Sequence, residues 1–446
     1  MTLWRPSQRQ AALDPRPDGE TTLRRIETQP RRLDDYEEIA PDELLKEART
    51  LAGELADARL LQVNATASGD GVAELLASEV GLMRGLGIDV EWRLICPDAE
   101  LFRVTRHIHH AMQGQGTLSR SEIARYLSHA KHCGAMLDDG WDIVVIHDPQ
   151  PAALIASQAA PEAQWVWRCH IDTSAPSEET WELLRPFVWS YDAAVFSLAD
   201  FVPPGLASDR IEQIAPAIDP FTARNRPLPR ELSQSIVIGA GIDPARPLVL
   251  QVARFDAWKD PVDVIAAWRL AREQVPGLQL ALVSAMADDD PAEGFAVYEQ
   301  AREASSGETD CHLLTNLHGV GPLEVNAFQR EADVVIQQSL REGFGLTVSE
   351  ALWKQTPVVG CNAAGIPMQL SDDAGILVSS IEACAGAIVN LLEDHDFAAQ
   401  LAESGHERVR REFLMPRLVR DDLRLYASLL RPAQAEAQPG EAAALV

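Results

Sequence analysis

Lysine is scarce in this sequence of 446 residues: four of its 39 basic side chains are lysines, and the rest are arginines. The six cysteines stand at least 23 residues apart, which excludes a C-x-x-C metal or redox pair and indicates reduced thiols. No apolar run approaches the roughly 18 residues of a membrane span, and the first residues lack the apolar segment of a secretion signal. These absences predict a cytoplasmic protein.

Acidic residues dominate the charge. The 67 Asp and Glu residues give a formal net charge of −28, which repels nucleic-acid phosphates and anionic membranes. We therefore expect neither partner, and any anionic ligand must be bound by a local basic pocket. The hydrophobic fraction of 46% is that of a globular protein, and the length allows two to four domains.

Short apolar runs alternate with amphipathic stretches along the chain, the pattern of parallel sheets with crossover helices. Prolines crowd residues 203–229 and separate two such series. In the first series, apolar runs begin at Ala58, Ile88, Trp141, Gln164 and Asp192, and in the second at Pro247, Leu278, Cys311, Ala332 and Pro357. We predict two α/β sheets facing a cleft, with ligands at the carboxyl ends of the strands.

The segment Ser339–Trp353 carries the strongest motif. It follows an apolar run, and Gly343 and Gly345 permit a tight turn before a helix whose free N–H groups can receive an anion. Glu342 and Glu350 flank this turn, and carboxylates accept hydrogen bonds from hydroxyls. A nucleotide sugar has hydroxyls on both sides of its phosphates. The alternative is an ordinary turn with solvated glutamates.

The second motif consists of two cations at the end of a predicted strand. Arg254 and Lys259 stand at the carboxyl end of the run from Pro247, where they can neutralise a diphosphate. Alternatively, they pair with Asp256 and Asp260 at the surface.

Glycine and histidine mark two strand ends in the first half. Gly69 and Gly71 follow the first strand and either approach a ligand or form a simple turn; Glu74 replaces the third glycine of a dinucleotide fingerprint, which argues against a nicotinamide oxidoreductase. His170 and Asp172 alternate on a strand, so both are expected on one side, where the histidine either meets a ligand or is structural. His107, His109 and His110 lack further ligands at metal spacing, so no metal site is predicted.

Four groups of residues, taken in chain order, resemble the retaining glycosyltransferases of family four: Gly69 with Gly71, His170, Arg254 with Lys259, and Glu342 with Glu350. The two glutamates match the E-x7-E motif of that family. The segments HDPQPAALI and WRCHID are similar to the branch that forms trehalose from a nucleoside-diphosphate glucose and glucose. Asp70 departs from the family, which has glycine there.

The resemblance implies the GT-B fold, an α/β architecture of two Rossmann-like domains facing across a cleft. The aperiodic, low-complexity composition of residues 1–32 and 431–446 predicts disordered tails. The resemblance assigns residues 217–414 to the donor domain. The acceptor domain comprises residues 33–216 with a returning helix at about 415–430.

Roles for single residues follow from the same resemblance. The catalytic set is His170, Arg254, Lys259 and Glu342. The donor-binding set is Gly69, Gly71, Arg254, Lys259, Gly343, Phe344, Gly345, Leu346, Thr347 and Glu350. Asp148 and Asp172 are the candidates for acceptor binding. Glu350 would hold the ribose and Glu342 the hexose.

The implied reaction is reversible in principle and needs no obligatory cofactor besides the substrates, a nucleotide sugar with glucose or trehalose. The sequence leaves open ADP-, UDP- or GDP-glucose as donor, a requirement for Mg²⁺, and a homodimer. A sugar-phosphate acceptor is the nearest alternative, and Arg103, Arg106 and Arg168 could bind its phosphate. An alternative of another class is a nucleotide-sugar binding protein without catalysis.

Overall fold

The computed structural model describes residues 23–66, 71–96, 98–206, 210–285, 291–371 and 373–431. These residues form two α/β domains, each built on one sheet. No helix in these ranges combines the length and the apolar composition needed to cross a bilayer.

The N-terminal sheet has seven strands in the order β1-β3-β2-β4-β5-β6-β7. Its central strands are buried on both faces, as expected for a parallel sheet covered by helices. β1 runs antiparallel to β3, and the other pairs are parallel. The strands are β1 (Leu23–Ile26), β2 (Arg59–Asn64), β3 (Asp89–Ile95), β4 (Ile143–His147), β5 (Gln164–Cys169), β6 (Ala193–Phe196) and β7 (Ile211–Gln213).

Helices cover both faces of this sheet and supply the crossovers that parallel pairing requires. The helices of the domain are α1 (Asp42–Glu54), α2 (Gly71–Gly85), α3 (Ala99–Met112), α4 (Arg120–Gly134) and α5 (Glu178–Val188). Ser119 and Glu122 form a reciprocal capping box at the start of α4, which satisfies two backbone donors there.

The C-terminal sheet is parallel throughout, in the order β10-β9-β8-β11-β12-β13. Its strands are β8 (Leu248–Arg254), β9 (Gln279–Ala285), β10 (Cys311–Thr315), β11 (Val334–Gln337), β12 (Val358–Cys361) and β13 (Ile376–Val378). Its helices are α6 (Arg230–Gly239), α7 (Pro261–Arg272), α8 (Pro291–Ala304), α9 (Pro322–Glu331), α10 (Leu346–Trp353), α11 (Ile366–Leu370), α12 (Ile381–Glu393) and α13 (His395–Glu412).

The last helix, α14 (Met415–Leu430), leaves the C-terminal domain and packs on the N-terminal one. Met415, Leu418, Leu423 and Tyr426 are buried among the core residues of α1 and α2. The two segments that connect the domains pair with each other: Ile218 N–H donates to Phe413 O at 2.8 Å, and Met415 N–H donates to Ile218 O at 3.0 Å. The two connecting segments therefore run side by side and are hydrogen-bonded to each other.

The prediction of two parallel α/β domains is confirmed. The N-terminal tail expected over residues 1–32 extends too far, because Leu23–Ile26 forms β1 against β3. The chain after it also packs: Arg31 N–H donates to Gly81 O at 2.8 Å on α2. The tail from residue 432 onward lies outside the described residues, and Arg431 still bonds to Glu54.

Candidate active site

An ion pair between Lys259 and Glu342 lies at the carboxyl ends of β8 and β11. Lys259 ends a single 3-10 turn that follows β8, and Glu342 stands in the loop between β11 and α10. Lys259 Nζ is 2.7 Å from Glu342 Oε1, and both side chains are largely buried. Adjacent parallel strands end at one edge of a sheet, which brings together residues 83 positions apart.

Three further donors hold the Glu342 carboxylate. Gln337 Nε2 and Ser339 Oγ donate to Oε2 at 3.1 and 3.2 Å, and Gly343 N–H donates to Oε1 at 3.0 Å. Sequence reasoning did not find Gln337 and Ser339, although both lie within five positions of Glu342. A carboxylate held by four donors has a fixed orientation.

Helix α10 begins directly after this loop. Gly345 precedes it with φ +79°, a conformation that L side chains rarely adopt, so glycine is required there. Leu346 is the first residue of α10. Val348 N–H donates to Gly345 O at 2.9 Å and Ser349 N–H donates to Gln369 Oε1 at 3.0 Å, which leaves the N–H groups of Leu346 and Thr347 at the open end of the helix, as helix geometry allows. Thr347 Oγ1 donates to Gln337 Oε1 at 3.1 Å. Phe344 is buried beneath the loop and anchors it.

Parts of the N-terminal domain face the same loop. A Cβ on Gly71, at the start of α2, would lie 3.8 Å from Leu346 Cδ1, and one on Gly343 would lie 3.7 Å from His170 O. The cleft thus places the start of α2 and the end of β5 against the start of α10. Gly69, the other expected glycine, lies outside the described residues.

Arg254 is the last residue of β8 and lies at this edge with a half-exposed side chain. Its guanidinium contacts Asp256 at 3.3 Å, the pairing that the surface alternative predicts. Lys259 differs, because its partner is Glu342 and not Asp260.

Glu350 is buried on α10 and paired with Arg224, a residue of the interdomain connection that sequence reasoning missed. Arg224 Nε lies 3.5 Å from Glu350 Oε1 and 3.4 Å from Glu74 Oε2 on α2. Burial raises the pKa of Glu350, and the Arg224 charge opposes that rise. No local pattern marks Arg224, because its partners are distant in sequence.

His170 follows the end of β5 and is held from two sides. Its Nε2 lies 2.9 Å from His147 Nδ1, and its backbone N–H donates to Asp148 Oδ1 at 2.8 Å. Burial lowers the pKa of both histidines well below the usual value of 6.5, so both rings are neutral at pH 7. Asp148 adopts φ +66° at the end of β4, which turns its carboxylate toward His170.

Asp172 does not share a strand face with His170, because β5 ends at Cys169 and the alternation rule no longer applies. Its carboxylate is already bound: Oδ2 accepts from Arg341 Nε at 3.0 Å, and Oδ1 accepts from Ser174 Oγ at 2.6 Å. Arg341 precedes Glu342 and also donates to the backbone oxygen of Gln113. Asp172 therefore links the two domains. Its carboxylate oxygens already accept hydrogen bonds, so they are less available for the acceptor binding that the sequence predicted.

A buried charged cluster lies behind His170. Arg168 Nη1 is 2.6 Å from Asp422 Oδ1 of α14, and both side chains are at most 3% exposed. Glu79 of α2 lies within hydrogen-bonding reach of Asp422, and burial together with the Asp422 charge raises the pKa of Glu79 to about 8. Burial also raises the pKa of Asp422, so the pair of carboxyl groups favours holding one proton over carrying two charges.

Glu79→Gln is expected to change how stability depends on pH. The groups facing Glu79 are Asp422, Arg168, Gln62 and Tyr426. Folded Glu79 keeps its proton up to about pH 8, whereas the unfolded chain loses it above about pH 4.5. The raised pKa therefore contributes stability that is complete below pH 4.5 and is lost as the pH rises toward 8.

Glutamine does not titrate, so the stability of the variant relative to the parent should rise between pH 4.5 and 8, by at most about 1.4 kcal/mol per pH unit. Urea unfolding at several pH values within this window measures the difference. A difference that stays constant with pH would contradict a protonated Glu79.

Two family models match the chain. "Trehalose synthase, N-terminal domain" matches residues 62–203, and "Glycosyl transferases group 1" matches residues 238–408. The boundary between them falls in the proline-rich connection between the two sheets.

Curated relatives align along most of the chain. It is 44% identical to the trehalose synthase of Rubrobacter xylanophilus, covering 92% of this chain and 99% of that one. It is 42% identical to the trehalose synthase of Thermococcus litoralis, covering 86% of this chain and 94% of that one.

Solved structures share the fold at low identity. The apo structure of OtsA superposes with a TM-score of 0.67 at 15% identity, covering 84% of this chain and all of that one. The Escherichia coli trehalose-6-phosphate enzyme bound to UDP-2-fluoro glucose gives 0.69 at 14% identity, covering 83% and 99%. These neighbours confirm the GT-B architecture. With the sequence relatives, they establish that the chain belongs to the trehalose synthase family of group 1 glycosyltransferases.

Proposed function

We propose that this chain transfers glucose from a nucleoside-diphosphate glucose to free glucose, forming trehalose with retention at the anomeric carbon. The observation that carries the proposal is the meeting of Lys259, Glu342 and the open start of α10 at one cleft edge. A cation and the N–H groups at the open end of α10 suit a diphosphate, and the adjacent carboxylate suits the hydroxyls of a hexose.

The donor would lie along the C-terminal side of the cleft. Lys259, Arg254 and the backbone N–H groups between Gly343 and Thr347 would bind its diphosphate, and Glu350 its ribose. The Gly343 N–H now donates to Glu342 Oε1, so it would have to change partner to join them. Glu350 now pairs with Arg224, so ribose hydroxyls would share or replace that contact. A structural neighbour bound to UDP-2-fluoro glucose supports this class of donor.

The chemistry needs charge stabilisation more than a protein nucleophile. Breaking the bond from C1 of the glucose to the diphosphate places negative charge on the leaving phosphate, which Lys259, Arg254 and the α10 N–H groups stabilise. The attacking hydroxyl of the acceptor enters on the face that the phosphate leaves, and its proton goes to the departing phosphate. Glu342 stays a hydroxyl acceptor throughout. Closure of the cleft excludes water that would hydrolyse the donor.

The buried position of Arg168 favours free glucose over a sugar phosphate as acceptor. Of the three arginines that a phosphate acceptor would use, Arg168 is buried in the pair with Asp422 and faces the core. Arg103 and Arg106 remain on α3, Arg103 exposed. The side chains that bond to His170 are the neutral His147 and the acidic Asp148, which suit hydroxyl groups and disfavour phosphate.

Product analysis tests the proposal. The protein is incubated with glucose and with ADP-, UDP- or GDP-glucose in turn, each with and without Mg²⁺, and the sugar formed and its linkage are identified. We expect α,α-trehalose with at least one donor. Faster transfer to glucose 6-phosphate would favour the alternative acceptor, and donor binding without any product would indicate the non-catalytic alternative.

Arg341→Gln is expected to loosen the closed cleft. Arg341 links the donor domain to Asp172 and to the Gln113 carbonyl, and it lies over the Trp258 ring at 5.7 Å. Losing this clamp should raise the KM for glucose about tenfold and increase donor hydrolysis relative to transfer, because water enters an open cleft. Initial rates at varied glucose, with released nucleotide and trehalose both measured, report the two effects.

Arg185→Gln is the matched control. Arg185 also pairs with a carboxylate and lies over a tryptophan ring, but both partners, Glu182 and Trp189, belong to its own domain. Equal effects of the two substitutions would refute a role for Arg341 between the domains.

A further inference from the structure

A line of hydrogen bonds runs from His170 into the core of the N-terminal domain. His147 Nδ1 lies 2.9 Å from His170 Nε2, and His147 Nε2 lies 2.7 Å from Gln62 Oε1. The planes of the two imidazole rings are nearly parallel, with an interplanar angle of 11° and ring centroids 5.2 Å apart. His147 ends β4 and Gln62 lies on the neighbouring strand β2, and both are almost fully buried. His170 is therefore held in place by a series of buried, hydrogen-bonded side chains.

This series of hydrogen bonds continues to side chains of α2 and α14. Gln62 Nε2 faces Glu79 Oε1 at 3.5 Å and Tyr426 Oη at 3.4 Å. Among the described residues, neither Glu79 Oε2 nor Asp422 Oδ2 has a donor, although the two carboxyl groups are within reach of each other. One proton between them satisfies both oxygens, and Arg168 compensates the remaining charge. The series of hydrogen bonds thus ends at Glu79, a hydrogen-bond acceptor that lies beside the Arg168–Asp422 ion pair.

This far end sets the direction of every bond. With the shared proton between Glu79 Oε2 and Asp422 Oδ2, Glu79 Oε1 is an acceptor whichever carboxyl group carries that proton. It therefore accepts from Gln62 Nε2, and Gln62 presents its Oε1 to His147. A neutral imidazole has one donor and one acceptor nitrogen. His147 therefore donates from Nε2 and accepts at Nδ1, and His170 must donate from Nε2. Bonds aligned in one direction polarise and strengthen one another.

We propose that His147 and Gln62 are positioning residues of the transfer reaction, which hold His170 in one orientation and with its proton on Nε2. His170 Nδ1 is then unprotonated, and any substrate hydroxyl that meets this nitrogen is the donor. A neutral ring also adds no positive charge beside a glucose whose C1 becomes positive in the transition state. This inference rests on the proposed function.

Gln62→Glu is the sharpest variant, because it is nearly isosteric and reverses the chain. The added carboxylate and His147 together take up one proton from solvent, which gives a carboxylate paired with an imidazolium. The imidazolium donates from Nε2 to the carboxylate and from Nδ1 to His170 Nε2, so the single proton of His170 moves to His170 Nδ1. The ring-nitrogen shifts of ¹⁵N-histidine protein report protonation at each nitrogen. The signals are assigned by their loss in His147→Asn and His170→Asn.

The expected result has a spectroscopic and a kinetic part. The parent protein shows His170 protonated at Nε2, and Gln62→Glu shows it protonated at Nδ1 with kcat lowered about tenfold to hundredfold and the donor KM nearly unchanged. Gln62→Leu, which keeps the packing but offers no acceptor, should lower kcat as well. The control is His129→Asn, which removes another buried histidine of this domain, in contact with Cys133, and should leave kcat unchanged.

Two results overturn the positioning role while the proposed function stands: a parent protein that forms trehalose with His170 protonated at Nδ1, or kcat equal in Gln62→Glu and His129→Asn. A parent protein that forms no trehalose with any donor overturns the proposed function and this inference together. If Gln62→Glu does not fold, the tautomer in the parent and the kcat of Gln62→Leu decide.

Discussion

Lys259→Ala is expected to lower kcat by a factor of about 10³ at saturating donor, with the fold preserved. Lys259 is the cation 2.7 Å from Glu342 and stands where the leaving phosphate would gain charge. Its removal takes away charge stabilisation that grows in the transition state, so kcat falls more than donor binding. Glu342→Ala should have a comparable effect, because it removes the carboxylate proposed to bind the hydroxyls of the donor hexose and leaves Lys259 without its partner.

The scarcity of lysine supplies a clean control. Lys131 on α4 is exposed, and Lys131→Ala should leave turnover unchanged. The double variant Lys259→Ala/Glu342→Ala should be scarcely worse than either single variant, because the two side chains act as a unit. Near-normal kcat in Lys259→Ala would refute the assignment of this cleft edge as the donor site.

Arg168→Met is expected to lower the free energy of unfolding by about 3–5 kcal/mol. The substitution leaves Asp422 buried on α14 without its cation, beside Glu79. Replacing both charges, as in Arg168→Met/Asp422→Leu, should recover much of the loss because no uncompensated charge remains. Urea unfolding followed by circular dichroism measures each variant.

Arg424→Met tests whether burial causes the effect. Arg424 also joins α14 to the N-terminal domain, through Glu47 of α1, but this pair is exposed. Its loss should cost no more than about 1 kcal/mol. If Arg168→Met and Arg424→Met lower the free energy of unfolding by the same amount, burial is not the cause of the effect at Arg168.

Features with local causes were predictable from the sequence. β11, the loop with Gly343 and Gly345, and α10 follow from an apolar run, two glycines and a helical pattern in consecutive residues. The strands that sequence reasoning missed are short or lie at sheet edges. β7 and β13 have three residues each, and β1 is the edge strand Leu-Arg-Arg-Ile. An edge strand tolerates exposed charges, so its pattern carries little signal.

Features with distant partners were not predictable. Arg341 stands next to Glu342 in the motif, but its partner Asp172 is 169 residues away. The same holds for Arg224 with Glu350 and for Arg168 with Asp422, whose pairing only the folded chain reveals. The order of motifs identified the cleft, whereas the contacts that orient and lock its side chains depend on tertiary packing.

The paired connections at Ile218 and Met415 have a consequence for dissecting or recombining the molecule. A fragment ending near residue 216 would lack α14, whose buried side chains complete the core beneath α1 and α2. It would expose an apolar groove and aggregate. A chimera that exchanges donor halves between related enzymes must therefore join the chain at two places, and it must retain the terminal helix with the half on which it packs.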